Sequence, residues 1–204
     1  MITMLNYQIN DQLYESLHTV IYRGYRKTDD LPVVLKILKK EYPKLEDIAH
    51  FKREYKITCN LKINDVIKAY SLEKYENTLV MVIEDFGGKS LNTFISTQKL
   101  DLDCFLNIAI RIADILGHVH RQNIIHKDIN PSNIIWNSKT NEVKIIDFGI
   151  STTLPREYPV VLSPNVLEGT LMYMSPEQTG RMNRAIDYRT DLYSLGATFY
   201  EMLT

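Results

Sequence analysis

The sequence predicts an α+β fold in which a small sheet-rich lobe precedes a larger, mostly helical lobe. The first third holds short runs of β-branched and aromatic residues separated by polar turns. The second half holds longer stretches in which apolar residues recur at helical spacing. A glycine pair, Gly87-Gly88, stands between these two parts, so we expect the lobes to occupy residues 1–86 and 87–204.

Composition excludes several classes of function. The 204 residues carry 24 Lys plus Arg against 25 Asp plus Glu, a net charge of −1 that offers no basic field for nucleic acid or anionic lipid. No apolar run approaches the roughly 18 residues of a membrane span. We therefore expect a soluble, cytoplasmic protein without nucleic-acid binding or membrane insertion. Its two cysteines, Cys59 and Cys104, are too few for a disulfide scaffold and are expected to be buried and inert.

The first lobe is predicted to contain one helix among its strands. Runs of β-branched and aromatic residues place strands at residues 19–22, 31–38, 66–70 and 78–83. The helix follows the second of these strands. Pro43 suits its first turn, and acidic Glu46 and Asp47 favour its positively charged N-terminal end. Apolar residues then recur at helical spacing at Ile48, Phe51, Tyr55 and Cys59.

The second lobe is predicted to be mainly helical. Residues 105–120 are apolar nearly all round, which is typical of a helix that is buried on every side. Residues 134–136 and 143–146 form a predicted hairpin, and a long irregular stretch covers residues 151–169. A final helix is expected around residues 191–203.

The residues that carry chemistry lie in this second lobe. Asp128 and Asn133 stand five residues apart on a loop made rigid by a proline, so their side chains can converge. The Asp can accept a proton from a hydroxyl, and the Asn oxygen can bind a hard divalent cation. Asp147 follows 14 residues after Asn133, at the end of an apolar strand, where a carboxylate can bridge metal and phosphate. His126, in the same loop, is expected to be a structural histidine packed behind it.

Together these residues resemble the catalytic loop and metal-binding motif of the protein kinase family, serine/threonine type. The resemblance extends over essentially the whole chain and implies a bilobal kinase-like fold. Its small N-lobe would hold an antiparallel sheet and one main helix, and its C-lobe would be mostly helical. It implies that Asp128 is the catalytic base, that Asn133 binds metal, and that Asp147 is the principal Mg²⁺ ligand.

The first lobe carries further matches to that family. Lys36, in Val33-Val34-Leu35-Lys36, resembles the catalytic lysine that holds the α- and β-phosphates of ATP, and Glu54 matches its glutamate partner. Residues 82–88 resemble the hinge, where the backbone of Glu84 and Phe86 would bind adenine. The resemblance implies that three apolar side chains enclose the adenine: Ile21, Val34 and Ile135.

The sequence also allows purely structural interpretations of the residues assigned to nucleotide binding in the first lobe. Glu54 has Lys52, Arg53 and Lys56 as neighbours and would also suit an exposed ladder of charges. Lys36 would suit a solvated edge strand, and the apolar residues assigned to adenine would suit an ordinary core.

The end of the sequence adds two motifs. Residues 169–177 resemble the end of a kinase activation segment, and residues 191–196 match the following buried helix, whose Asp191 would brace the catalytic loop. The alternative for Asp191 is a simple helix cap.

Residues 175–191 narrow the resemblance further. They are similar to the N-terminal kinase module of large hybrid signalling proteins, in which a nucleotide-binding domain and a sensor histidine kinase follow. The family's C-lobe continues with further helices beyond the final one here. We therefore expect a C-terminally truncated fragment, with further domains of a signalling chain as possible partners. An arginine of the family that pairs with the residue matching Glu177 would be absent, leaving Glu177 unpaired.

The implied function is transfer of the γ-phosphate of ATP, with Mg²⁺, to a serine or threonine hydroxyl of a protein substrate in signal transduction. One alternative is a pseudokinase that binds nucleotide or a partner without phosphotransfer. Another is a small-molecule kinase of the aminoglycoside or choline type, which would lack residues 169–177 and 191–196.

Three departures from the family pattern bear on activity. Tyr14, Ser16 and Thr19 stand where three glycines are usual in the phosphate-binding loop. Asn130 replaces a lysine that follows the catalytic Asp, and Lys127 replaces an arginine that precedes it. Weakened nucleotide binding and slower transfer are the expected consequences.

Overall fold

The computed structural model describes residues 6–39, 43–153, 168–182 and 184–204. The chain divides into two compact units, Met1–Gly87 and Gly88–Thr204, each with its own network of contacts. Most of the predicted irregular stretch, residues 154–167, lies outside the described residues. Within the described ranges, no helix combines the length and the apolar character that a membrane span requires.

The first unit is built on a five-stranded antiparallel sheet with strand order β1-β2-β3-β5-β4. Its strands are β1 (Tyr7–Glu15), β2 (Thr19–Arg26), β3 (Leu31–Leu38), β4 (Ala69–Tyr75) and β5 (Thr78–Glu84). Helix α1 (Leu45–Asn60) connects β3 to β4. An antiparallel sheet with one main helix was expected for this half of the chain, and this prediction is confirmed.

The two faces of the sheet have different contents because successive strand residues point to opposite sides. One face carries a buried apolar cluster: Tyr7, Val20, Val33, Leu35, Ile37, Val80 and Val82. The intervening residues Ile21, Val34 and Lys36 therefore share the other face. A second cluster on that other face contains Leu38, Met81 and, from α1, Phe51. The helix thus packs on the side of the sheet that presents Lys36.

Some element boundaries differ from the prediction. Strand β1 was not predicted, because all but two of its residues are solvent-exposed and it shows no apolar alternation. Strand β4 begins at Ala69, although the apolar run that suggested it begins with Val66; Val66 and Ile67 are buried but precede the strand. Helix α1 begins at Leu45, so Pro43 lies just before the helix and not in its first turn.

Among its described residues, the second unit contains three α-helices and several short strands. The helices are α2 (Leu91–Ile95), α3 (Leu102–Arg121) and α4 (Arg189–Leu203). The strands are β6 (Lys89–Ser90), β7 (Ile124–Ile125), β8 (Ile134–Asn137), β9 (Glu142–Ile145) and β10 (Thr152–Thr153). They form a sheet of order β6-β8-β9 and a β10-β7 pair. The predicted hairpin is confirmed as β8 and β9, and the predicted final helix as α4.

Helix α3 is buried on one face only, so the prediction of burial on every side was wrong. Its buried residues recur every three to four positions: Phe105, Ile108, Ala109, Ile112, Ile115, Leu116 and Val119. Leu106 and Ile110 are exposed, and they share the outer face with polar Asn107, Arg111 and Asp114. The many apolar residues of this helix suggested burial on every side, but its polar residues cluster on the face that is exposed to solvent.

The prediction for the cysteines was also wrong. Cys59 is exposed in the last turn of α1, because the buried positions there are Ile57 and Thr58. Cys104 is half-buried at the start of α3, where burial, followed by the charge of Asp101, raises the pKa of its thiol.

A hydrogen bond from Tyr7 ties β1 to β4 across the sheet. The Tyr7 side chain is buried, and its hydroxyl donates to Glu73 Oε1 at 2.6 Å in a partly buried hydrogen bond; Ser71 Oγ donates to the same oxygen at 2.7 Å. Burial, with the Glu73 carboxylate as the second cause, raises the pKa of Tyr7 to about 12. The two opposite edges of the sheet are therefore joined through a phenol that stays protonated at neutral pH.

Replacing Tyr7 by Phe should lower the free energy of unfolding by about 1 kcal/mol, because one partly buried hydrogen bond is lost. A folded-state pKa above the ordinary value of 10 means that Tyr7 contributes this stability fully below pH 10 and loses it as pH rises toward 12. Urea unfolding of wild type and Tyr7→Phe between pH 8 and 11 should show a difference that is constant up to pH 10 and then shrinks. The exposed Tyr14→Phe is the control; a difference that grows above pH 10 would contradict this assignment.

Candidate active site

The loop between β7 and β8 is shaped by Asn130. This side chain is 3% exposed, and its Oδ1 accepts a hydrogen bond from the Ser132 backbone N–H at 2.9 Å. It thereby caps a single 3₁₀ turn, Pro131–Asn133, whose first position suits proline because no N–H is needed there. Asn130 Nδ2 donates to the Asp128 carbonyl at 3.1 Å. Asn130 is thus a structural part of the loop, and its amide is occupied by these contacts.

Asp128 and Asn133 are in direct contact, as their spacing suggested. Asn133 Nδ2 donates to Asp128 Oδ2 and to the Asp128 backbone carbonyl, each at 2.9 Å. Because the amide nitrogen points to Asp128, Oδ1 is the atom of Asn133 that is suited to a cation. Each carboxylate oxygen of Asp128 has two lone pairs, so the carboxylate can still accept a proton from a hydroxyl.

Thr170 provides the second contact to the Asp128 carboxylate. Its backbone N–H donates to Asp128 Oδ1 at 2.9 Å, from 42 residues away in the sequence. Thr170 Oγ1 also lies 3.4 Å from Asn130 Nδ2. The sequence placed Thr170 in the activation-segment motif but assigned it no role.

Tyr173, at the end of the short turn Leu171–Tyr173, ties this segment to α4. Its hydroxyl donates to the carboxylate of Glu201. Burial, followed by the hydrogen bond to Glu201, raises the pKa of Tyr173 well above its ordinary value. The phenol therefore stays protonated, and this link persists through the neutral pH range.

Asp191 braces the loop from α4, as predicted. Its side chain is completely buried, with 0% exposed. Oδ2 accepts the backbone N–H of His126 at 2.9 Å, and Oδ1 accepts that of Lys127 at 2.7 Å. His120 Nε2, on α3, lies 2.8 Å from Asp191 Oδ2, a contact that sequence spacing gave no reason to expect.

Lys127 is held at each of its polar groups. Its backbone is left-handed, with φ of 69°, which is unfavourable for a residue with a Cβ. Its carbonyl accepts a hydrogen bond from Gln178 Nε2 at 2.8 Å, and its Nζ lies 3.4 Å from Glu168 Oε2. With the N–H bound to Asp191, these contacts stabilise the strained residue that immediately precedes Asp128. The contributions of Gln178 and Glu168 were missed, because they lie far along the chain.

His126 is the structural histidine that the sequence predicted. It is fully buried, and its ring lies edge-on to Phe148 with 4.7 Å between ring centroids. Its Nε2 lies 2.9 Å from the Ile146 carbonyl and therefore donates, so Nδ1 accepts the Asp128 N–H at 3.3 Å.

Asn133 and Asp147 are brought to the same end of the β8–β9 hairpin. Ile134 pairs with Ile145, and the Ile146 N–H donates to the Asn133 carbonyl at 3.0 Å. Asp147 then adopts a left-handed backbone with φ of 64°, and its Oδ1 accepts the Gly149 N–H at 3.2 Å.

The donor set at this end of the hairpin suits a magnesium ion. Among the described residues, no group of three or more His, Cys, Asp or Glu side chains forms a self-sufficient metal site. One carboxylate and one amide oxygen fit Mg²⁺, because that ion is commonly bound by few protein oxygens together with waters and substrate phosphates. Asn133 and Asp147 are the residues that would hold it.

In the first unit, Lys36 and Glu54 form a buried ion pair. Lys36 Nζ lies 2.6 Å from Glu54 Oε1, and the two residues are 8% and 6% exposed. The alternative of an exposed charge ladder at Glu54 is therefore excluded, as is a solvated position for Lys36. Two charges this deeply buried require each other, and the pair fixes where the lysine ammonium lies.

The residues assigned to adenine are placed as follows. Ile21 pairs with Lys36 across β2 and β3, and Val34 lies on the same face two residues before the lysine. Ile135 is half-buried on β8, in the second unit. The N–H of Glu84 donates to the Lys68 carbonyl at 2.9 Å, which holds the backbone of Glu84 within the predicted hinge.

The turn between β1 and β2 is closed by Ser16. Its Oγ accepts the backbone N–H of His18 at 3.2 Å and that of Thr19 at 3.0 Å. Ser16 Oγ also lies 3.1 Å from Thr19 Oγ1. The hydroxyl groups of Ser16 and Thr19, which stand where glycines are usual, therefore hydrogen-bond within the turn itself. The backbone N–H groups of His18 and Thr19 do so as well.

The expectation for Glu177 was wrong. This side chain is half-buried, and its Oε1 accepts a hydrogen bond from Thr190 Oγ1 at 2.8 Å. Glu177 therefore has a partner on α4 within the described chain.

Comparisons with known proteins agree with this arrangement. The protein kinase domain family matches residues 7–204. A probable serine/threonine-protein kinase of Clostridium perfringens is 32% identical over 200 residues, covering 97% of this chain and 28% of that protein. Serine/threonine-protein kinase PrkC of Bacillus subtilis is 31% identical over 177 residues, covering 86% of this chain and 26% of its own length. Aurora kinase C of mouse is 28% identical over 204 residues, covering 98% of this chain and 71% of that protein. The chain thus spans little more than a quarter of the two bacterial relatives.

Replacing Asp191 by Asn should lower the free energy of unfolding by about 2–4 kcal/mol, because an amide NH₂ would face a buried backbone N–H in place of an acceptor. Urea unfolding measures this change. Asp114→Asn is the control, since its carboxylate is 69% exposed on α3, and it should stay within about 0.5 kcal/mol of wild type. Equal stability of the two variants would show that Asp191 does not brace the loop.

Proposed function

The chain belongs to the protein kinase family, and from this premise we propose that it transfers the γ-phosphate of ATP, with Mg²⁺, to a serine or threonine hydroxyl of a protein substrate. The observation that carries the proposal is the set of hydrogen bonds around Asp128. Two donors, from Asn133 and Thr170, hold the two oxygens of one carboxylate. Such a carboxylate is oriented before any substrate binds.

Asp128 acts as the base in this proposal. Its carboxylate orients the substrate hydroxyl and accepts its proton as the hydroxyl oxygen bonds to the γ-phosphorus, while the bond from that phosphorus to the β–γ bridging oxygen breaks and ADP leaves. The fixed loop matters because phosphoryl transfer demands positioning more than covalent chemistry from the protein. Its support comes from Asp191 and Gln178, which hydrogen-bond to the backbone of Lys127, the residue immediately before Asp128.

Asn133 and Asp147 are the proposed metal ligands. The Mg²⁺ that they would hold would supply charge neutralisation at the phosphates. The fit rests on the pairing that places both residues at one end of the β8–β9 hairpin. The orientation of the Asn133 amide, with its nitrogen toward Asp128, supports the same role.

Lys36 is proposed to bind the α- and β-phosphates. The ion pair with Glu54 holds its ammonium in one place without removing its charge. Lys36 also shares its sheet face with Ile21 and Val34, the side chains proposed to contact adenine. In this proposal the hinge backbone at Glu84 and Phe86 binds the adenine edge, and Ile135 contributes to its enclosure.

These contacts favour phosphotransfer over a pseudokinase role, since the base, the amide ligand and the lysine pair are all held by specific hydrogen bonds. The likeness to serine/threonine-protein kinases supports a protein substrate. We further propose a cytoplasmic role in signal transduction. Further domains of a signalling chain are the proposed partners, from the likeness of residues 175–191 to hybrid signalling proteins.

Single-turnover transfer from Mg-ATP to a serine- and threonine-rich test protein should be slowed about 10²- to 10⁴-fold in Asp128→Asn, because the base is lost while the side-chain shape is kept. Mg-ATP binding should be retained. Asp114→Asn on the exposed face of α3 is the matched control and should transfer as wild type does. Equal rates for wild type and Asp128→Asn would remove Asp128 from its role. Binding of Mg-ATP by wild type with no transfer at all would favour the pseudokinase alternative.

Replacing Ser16 by Gly should lower the Kd of Mg-ATP by about three- to tenfold, because the amides of His18 and Thr19 become available to phosphate, worth about one backbone hydrogen bond. Isothermal titration measures the change, and the affinity for adenosine should stay constant. Ser138→Gly, in the exposed turn of the β8–β9 hairpin, is the control. Unchanged or weaker ATP binding in Ser16→Gly would mean that these amides do not contact phosphate.

A further inference from the structure

We propose that Arg23 is a positioning residue for the adenine end of the nucleotide. Through Asp85, it fixes the backbone at residues 84–87, which are part of the predicted hinge (residues 82–88) to which adenine is proposed to bind. This inference rests on the proposed function. The family resemblance assigned no role to either Arg23 or Asp85.

Arg23 and Asp85 form a two-point ion pair. Arg23 Nε lies 2.6 Å from Asp85 Oδ2, and Nη2 lies 3.3 Å from Oδ1. The Asp85 side chain is only 9% exposed and that of Arg23 is 29% exposed. A planar guanidinium that meets both oxygens fixes the plane of the carboxylate as well as its distance, which a lysine cannot do.

Asp85 transmits this restraint to the backbone. Its Oδ1, one of the two oxygens bound by Arg23, also accepts the Gly87 N–H at 2.9 Å. This closes a turn around Phe86, and Gly87 takes the left-handed conformation with φ of 75° that the turn requires. At the other end of the segment, the Glu84 N–H is bound to the Lys68 carbonyl. The residues between Glu84 and Gly87 are therefore held at both ends.

The arginine reaches Asp85 from the sheet face that is assigned to adenine. Arg23 pairs with Val34 across β2 and β3, and Val34 pairs with Ile83 across β3 and β5. Arg23 is two residues from Ile21 on β2, and Asp85 is two residues beyond Ile83, so alternation places them on the same side. The ion pair thus lies next to the side chains that would contact the base, and Lys36, the phosphate ligand, lies further along the same face.

The chain provides a matched control nearby. Arg26 and Asp29 form an equally well-formed pair, with Nε–Oδ1 at 2.9 Å and Nη2–Oδ2 at 2.7 Å. Both side chains are more exposed, at 33% and 48%, and Asp29 lies in the turn between β2 and β3. The same chemistry at Arg26 therefore acts away from the hinge.

The position of Arg23 predicts which part of the nucleotide is affected. Loss of the ion pair should weaken binding of adenosine and of Mg-ATP by about tenfold, the effect of roughly one charge-assisted contact. Binding of Mg-tripolyphosphate, which has the phosphates but no base, should be unchanged. In turnover, KM for ATP should rise while kcat at saturating ATP stays near the wild-type value.

The experiment measures binding of these three ligands by isothermal titration to wild type, Arg23→Leu, Arg23→Lys, Asp85→Asn and Arg26→Leu. Arg23→Leu and Asp85→Asn should each lose adenosine affinity, their double variant should lose no more than either, and Arg26→Leu should bind as wild type does. Arg23→Lys keeps the charge and the fold, but its adenosine affinity should still fall several-fold because an ammonium cannot make the two-point contact of the guanidinium with Asp85.

Three outcomes would overturn the inference. One is unchanged adenosine binding in Arg23→Lys and Asp85→Asn while wild type binds. Another is an equal loss for adenosine and Mg-tripolyphosphate, which would indicate general destabilisation of the sheet. The third is the same loss in Arg26→Leu. Failure of the proposed function looks different, because wild type itself would then bind no Mg-ATP.

Discussion

The hydrogen bonds accepted by the buried Asp191 carboxylate are the interaction on which the loop carrying Asp128 depends. It binds two consecutive backbone N–H groups, and the second of these belongs to Lys127, whose backbone is left-handed. A residue in that conformation persists only where its surroundings hold it. Asp191, Gln178 and Glu168 do so from three directions, and the direction of the next residue, Asp128, follows. Rigidity at Asp128 is thus produced by side chains from distant parts of the second unit.

Sequence spacing was sufficient where the partners are neighbours on one loop or one hairpin. Asp128 and Asn133 are five residues apart, so a single turn joins them. Asn133 and Asp147 are joined by the pairing of β8 with β9. Thr170 and Gln178 contact the same loop from 42 and 51 residues away, and no periodicity connects such positions. These partners are set by tertiary packing, which a single sequence does not contain.

In the first unit, too, features with a local sequence pattern were predicted and features that depend on distant residues were not. Strands β2, β3 and β5 could be predicted because one of their faces is buried, and that face is formed by apolar residues that are visible in the sequence. Strand β1 is mostly exposed, so its sequence shows no apolar pattern from which a strand could be predicted. Glu54 was ambiguous for a related reason: its sequence neighbours are lysines and an arginine, and its actual partner, Lys36, lies 18 residues earlier on another element. Local charge patterns describe the surface of a helix well and its buried partner poorly.

The loop is built around the short, buried side chain of Asn130. A family member with lysine at this position uses that side chain toward the phosphates, whereas here the short amide is enclosed, caps the turn before Asn133 and reaches toward Thr170. A lysine grafted into this loop would lose the cap and force a long cation into an enclosed space. The effect of a lysine at this position would therefore depend on its neighbours, and Asn130→Lys alone would destabilise the loop unless those residues changed with it.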